Sequence, residues 1–182
     1  MFRKFLTILC LLITGCVGTT EQFYNSYQGP NNTFVLNIDS HITTVEKKQI
    51  VKATQMWERA SHHAIHFILN WGVKKPKHFF YEILNSSKRE IYIWNFEENE
   101  RRYINEETFV HGYFLPLENS ACIILFPKSF NSEHYLQVVA HELGHMLGLV
   151  HSTNKKSMMF ISTSVSTLNQ EDVDSINQLF SR

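Results

Sequence analysis

The chain has 182 residues, with 17 basic and 17 acidic side chains, 10 histidines and 3 cysteines. That length holds one domain whose core needs no covalent staples. The balanced charge excludes a strongly basic nucleic-acid-binding domain, a 43% hydrophobic content with 14 Phe excludes disorder, and three cysteines exclude a disulfide scaffold.

The chain opens MFRKFLTILCLLITGC. Arg3 and Lys4 form a positive start, and Phe5 to Ile13 is an apolar run of signal-peptide length, too short to span a bilayer. The ending Ile13-Thr14-Gly15-Cys16 resembles the lipobox of bacterial lipoproteins. That resemblance implies a signal peptide over residues 1–15, lipid on Cys16, and export to the cell envelope with the membrane as a partner. Secretion without a lipid is the alternative. Residues 16–33 are polar and rich in turn formers and read as a tether, so the folded domain is expected over residues 34–182.

Phe34 to Ile38 reads as the first strand. Thr43 and Glu46 match a capping box, and Ile50, Ala53, Trp57 and Ala60 recur at helical spacing, which predicts a helix near 44–60. Ile65 to Leu69 is a second strand with Ile65, Phe67 and Leu69 on one face. His78 to Leu84 is an apolar stretch read as a strand. Glu90 to Phe96 is a clearer one, with Ile91 and Ile93 on one face and Tyr92 and Trp94 on the other. Glu97 to Thr108 is charged and reads as a loop. Phe109 to Leu115 and Ala121 to Phe126 are further strands, joined by a turn containing Pro116 and Asn119. A helix follows over about 132–147, then an irregular stretch over 150–165. A last helix over about 170–180 has Asn169 as its N-cap. The order predicts one α/β domain with a mixed sheet. Cys122, inside an apolar run, reads as a buried small hydrophobe.

Residues 141–151 read HELGHMLGLVH. Four residues turn a helix by about 400°, so His141 and His145 share a face and can share one ion. Glu142 stands beside the first ligand, where its carboxylate can reach a water on that ion. A continuing helix could not return His151 to the same ion. Gly148 permits a sharp exit with positive φ, so His151 can serve as a third ligand. Three neutral imidazoles leave a fourth position open, as in catalytic zinc sites. The spacing is specific: chance places H-E-x-x-H-x-x-G-x-x-H in such a chain on the order of once in ten thousand.

This pattern, followed by a methionine turn, resembles the metzincin zinc metalloproteases. Met159 stands eight residues after His151, and the resemblance assigns it the Met-turn role beneath the zinc ligands. Ser152 after the third histidine, Ile161 in place of a zinc-reaching Tyr, and the tail Leu168 to Phe180 point within that clan to the matrixins. The resemblance implies a zincin fold: a twisted mixed β-sheet with an active-site helix, Met-turn and C-terminal helix. It implies one catalytic zinc and an endopeptidase acting on protein or peptide substrates, with Glu142 as general base. It also implies substrate contacts at Gly112 and Tyr113 on an edge strand, and at Phe160 and Ile161 in a pocket lined by residues 159–163.

Some family features are missing. Matrixins usually carry a second zinc and calcium ions held by His and Asp. Asn95 to His111 has one His and no Asp, so calcium is possible but unsupported by the sequence. The prodomain cysteine-switch motif is absent, and family latency is not implied. His62, His63 and His66 cluster at a helix–strand junction; a second metal site is the alternative there, and the absence of carboxylate or thiolate companions argues against it. His78, His111 and His134 read as ordinary polar residues. A monomer with no nucleic-acid partner is expected. The rival reading is a surface lipoprotein that binds a partner and keeps zinc only for structure; Glu142 argues against it, since a structural site has no use for a base.

Overall fold

The computed structural model describes residues 30–76, 90–97, 111–117, 120–127, 131–162 and 164–180. The leader, Cys16, the stretch His78 to Leu84, most of the acidic loop and Asn119 lie outside the described residues.

Strand β1 (Thr33–Asp39) alternates as its sequence requires, and Phe34, Leu36 and Ile38 are fully buried on one face. Helix α1 (Thr44–Ala60) follows with its capping box formed: the Glu46 carboxylate accepts from the Thr43 N–H at 2.7 Å, and the Thr43 hydroxyl oxygen accepts from the Glu46 N–H at 3.3 Å. It leads into β2 (His66–Val73), which pairs in parallel with β1. This β–α–β unit lays α1 across one face of the sheet.

β3 (Glu90–Asn95), β4 (Gly112–Pro116) and β5 (Ser120–Leu125) complete five strands in the order β2-β1-β3-β5-β4. Only β4 is antiparallel to its neighbour. Helices α2 (Ser132–Met146) and α3 (Gln170–Phe180) join α1 on the inner face, where Ile91, Ile93 and Ile123 meet Trp57, Leu143 and Ile176. The outer face holds a second apolar layer of Trp94, Phe96, Leu117, Cys122, Ile124 and Phe126. Burial there pushes the Cys122 thiol well above its ordinary range, the behaviour of an inert core cysteine.

Most strand ends fall within one residue of their predicted bounds, and β2 and β4 depart furthest. β2 runs on to Val73 because β1 offers a partner along its whole length, including a bulge at Ile38/Asp39. β4 begins at Gly112 and includes Pro116, which was expected in the turn. Its β5-facing bonds alternate from His111, whose carbonyl accepts from the Phe126 N–H at 3.0 Å, to Leu117, whose N–H reaches the Ser120 carbonyl at 2.8 Å. Pro116 therefore turns its nitrogen to the open edge, where a missing N–H costs no ladder bond. Among the described residues no helix is long and apolar enough to cross a membrane.

Candidate metal centre

Helix α2 is capped by Asn131, whose side chain accepts from the His134 N–H at 2.8 Å. From that start it carries His141 and His145 on one face, with their Nε2 atoms 3.0 Å apart. The helix ends where the sequence places glycine. Gly148 has φ 96°, its N–H reaches the His145 carbonyl at 3.0 Å, and the Leu149 N–H reaches the Gly144 carbonyl at 2.9 Å. This left-handed exit returns His151, whose Nε2 stands 3.3 Å from that of His141 and 3.1 Å from that of His145.

The far side of two rings is fixed. His141 Nδ1 donates to the Met158 carbonyl at 2.8 Å, and His145 Nδ1 donates to the Leu149 carbonyl at 2.9 Å. With the proton on Nδ1, each Nε2 is a bare acceptor. Two such lone pairs, with the Nε2 of His151 beside them, converge on one point and suit a cation. A tetrahedral zinc with nitrogens at 2.0–2.1 Å would set them about 3.3 Å apart, close to the spacing seen here. Among the described residues this is the one group of three potential ligands gathered within 4.8 Å. Burial drives all three imidazoles toward the neutral, ligating form; for His145 burial and then the neighbouring His141 push the pKa down to about 3.

Glu142 lies next to this cluster and is buried. Burial raises its pKa to about 8, against the opposing effect of the Phe114 N–H that donates to it. The carboxylate faces β4 closely. A Cβ at Gly112 would run into the Val138 side chain and come within 3.1 Å of Glu142 Cγ and 3.2 Å of its Oε1, so only glycine fits. The alternation of β4 turns the backbone groups of Gly112 and Phe114 to the open edge beside Glu142.

Met159 packs under the same helical turn. A Cβ at Gly144 would strike its Sδ and come within 3.0 Å of Trp57 Cζ2. Met158 is also buried, but it meets the centre through its carbonyl. His141, Glu142, His145, His151, Gly112 and Met159 thus converge. Two predicted contact residues do not bring their side chains along: Tyr113 packs into the outer layer of the sheet, and Ile161 is 68% exposed. Phe160 is half-buried beside the turn. Thr163 and Cys16 lie outside the described residues.

The sequence reading passed over two residues that shape the centre. Trp57 Nε1 donates to the Ala140 carbonyl at 2.9 Å, a contact 83 residues long that helical periodicity reads only as core. Gln137, one turn before His141, donates to the Ser164 carbonyl at 3.0 Å, and its Oε1 accepts from His134 Nδ1 at 3.1 Å. Its i, i−4 position relative to His141 was the available signal.

The matrixin family profile matches residues 32–181 of this chain. The chain belongs to the matrixin family. Over 56 residues, 29% of its length, this matrixin is 41% identical to the interstitial collagenase of Sus scrofa, matching 12% of that protein. It is 49% identical over 49 residues, 24% of its length, to stromelysin-2 of Rattus norvegicus, matching 10% of that protein. A third relative is the macrophage metalloelastase of Rattus norvegicus, 40% identical over 58 residues that cover 29% of this chain and 12% of that one. The chain thus spans about a tenth of the length of the curated relatives it matches. Matrixins use a catalytic zinc, and in this matrixin the three histidines form the set that can hold it.

Proposed function

We propose that this matrixin is a zinc endopeptidase that hydrolyses peptide bonds within protein or peptide substrates. One observation carries the reading: a buried carboxylate, Glu142, stands beside three convergent imidazoles and the open backbone edge of β4. When bound at His141, His145 and His151, zinc supplies a Lewis acid that polarises a water and the scissile carbonyl. The chain's own residues do the rest. An extended substrate pairs with the outward N–H and C=O of Gly112 and the C=O of Phe114, whose N–H is engaged by Glu142, and the pairing stops at Pro116, which has no N–H to offer. Glu142 accepts the proton of the attacking water and delivers it to the leaving amine as the C–N bond breaks. Its buried position beside the three imidazoles keeps the carboxyl within reach of both transfers. Met159 supports the ligand turn from below, and Phe160, half-buried beside that turn, offers a wall for the side chain that follows the cut.

Glu142→Ala tests this directly. The variant should retain zinc and lose peptide cleavage by at least about a hundredfold. Undiminished cleavage would remove Glu142 from the mechanism.

Export belongs to the same reading. Residues 1–15 are removed, Cys16 carries the lipid, residues 16–33 act as the tether, and the monomeric catalytic domain over residues 34–182 works at the cell envelope. Mass spectrometry of the mature N-terminus should find an acylated Cys16. An unmodified N-terminus elsewhere in the leader would point to plain secretion.

A further inference from the structure

The carboxylate of Asp172, on the first turn of α3, is 2% exposed. Burying a carboxylate is unfavourable by several kcal/mol unless it is compensated. Among the described residues no ion pair reaches it. Its Oδ2 accepts from the Asn169 N–H at 2.9 Å and from the Met158 N–H at 2.9 Å. Its Oδ1 accepts from the Ser157 hydroxyl. Every contact is a donor directed at the acid, which therefore acts as an acceptor only.

The Ser157 contact leads further. The Ser157 oxygen accepts from the Met159 N–H at 2.9 Å. That N–H belongs to the peptide whose other end is the Met158 carbonyl, and the Met158 carbonyl accepts from His141 Nδ1 at 2.8 Å. All donors run one way: His141 to the Met158–Met159 peptide, the peptide to Ser157, and Ser157 to Asp172. Each residue along it is buried, with Ser157 1% and Met158 0% exposed. Hydrogen bonds in such an aligned chain polarise one another in a low dielectric.

We propose that Ser157 and Asp172 are positioning residues of the metal centre, which hold and polarise the ligand His141 through the Met158–Met159 peptide. The chemistry of the centre gives the acid its purpose. Three neutral imidazoles leave the charge of a divalent ion uncompensated. Asp172 contacts nothing that reacts and receives the last donor of this chain. Partners that bind a ligating histidine from behind typically change metal affinity by about 10–100-fold when removed.

Ser157→Ala breaks the chain at one link and leaves the Asp172 bonds to Met158 and Asn169 in place. Zinc affinity, measured by competition with a chromophoric chelator, should fall by about 10–100-fold. The His141 Nδ1 proton resonance of the zinc-loaded protein should move upfield, and Ser157→Thr, which keeps the hydroxyl, should restore both. A loss of less than fivefold in Ser157→Ala, with that resonance unmoved, overturns the proposal, whatever happens to the melting temperature. Asp172→Asn should act in the same direction; should it fail to fold, Ser157→Ala alone decides. These readouts need no turnover, so their failure and the failure of the peptidase reading are separate results.

Discussion

Two groups of three histidines lie close together along this chain, and they differ in nearly everything except residue type. His141, His145 and His151 bring three Nε2 atoms within 3.3 Å of one another. His62, His63 and His66 are all exposed, at the junction of α1 and β2. In the first group a helix sets the spacing, a glycine with φ 96° turns the chain back, and backbone carbonyls hold two rings from behind. In the second, His62 and His63 are themselves the left-handed residues, at φ 51° and 61°, and finish the helix with no glycine to take the strain. A metal site is therefore made by the backbone that aims the rings more than by a local count of histidines.

That contrast can be broken most sharply at a ligand. His145→Ala should weaken zinc binding by about a thousandfold, about a third of the free energy of a tightly held zinc. Replacing His62, His63 and His66 together by Ala should leave zinc affinity within about twofold, because among the described residues only His141, His145 and His151 gather as a ligand set. A comparable loss in both variants would mean that the second group also holds the ion. The packing beneath the first group comes next. Gly144→Ala should destabilise the protein by about 1–3 kcal/mol in denaturant titration, since the added methyl meets Met159 and Trp57. Trp57→Phe removes the donor to the Ala140 carbonyl and part of a fully buried ring, and a loss of about 1–2 kcal/mol is expected. The smallest effect has the opposite sign. His63→Gly should stabilise the protein by about 0.5–1 kcal/mol, by relieving a left-handed residue that serves no ligand. A destabilised His63→Gly would show that the exposed cluster has a structural role.

How legible each region was from the sequence follows from the range of its contacts. The capping box of α1, the alternation of β1 and β3, and the ligand spacing with Gly148 are local patterns, and each appears where the residues place it. The extension of β2 to Val73 depends on the length of its partner strand, which no window along β2 contains. Pro116 read as a turn residue because proline usually ends strands, and it belongs to one because its nitrogen faces an open edge. Trp57 and Gln137 matter through bonds to Ala140 and Ser164, 83 and 27 residues away. Asp172 could have been flagged locally, as the third residue after the N-cap Asn169. Its bond to Met158, 14 residues earlier, could not. Tyr113 shows the cost of carrying a contact by position alone. One step of strand alternation sends its side chain to the outer layer, and the backbone groups that face Glu142 belong to its neighbours Gly112 and Phe114.

The most direct test of zinc-dependent peptide hydrolysis is cleavage of a mixed peptide library by the purified zinc-loaded protein, followed with and without a chelator. Cleavage across varied sequences, abolished by the chelator and restored by added zinc, is the expected result. A library left intact by zinc-loaded protein, or cut equally well with the chelator present, would contradict it.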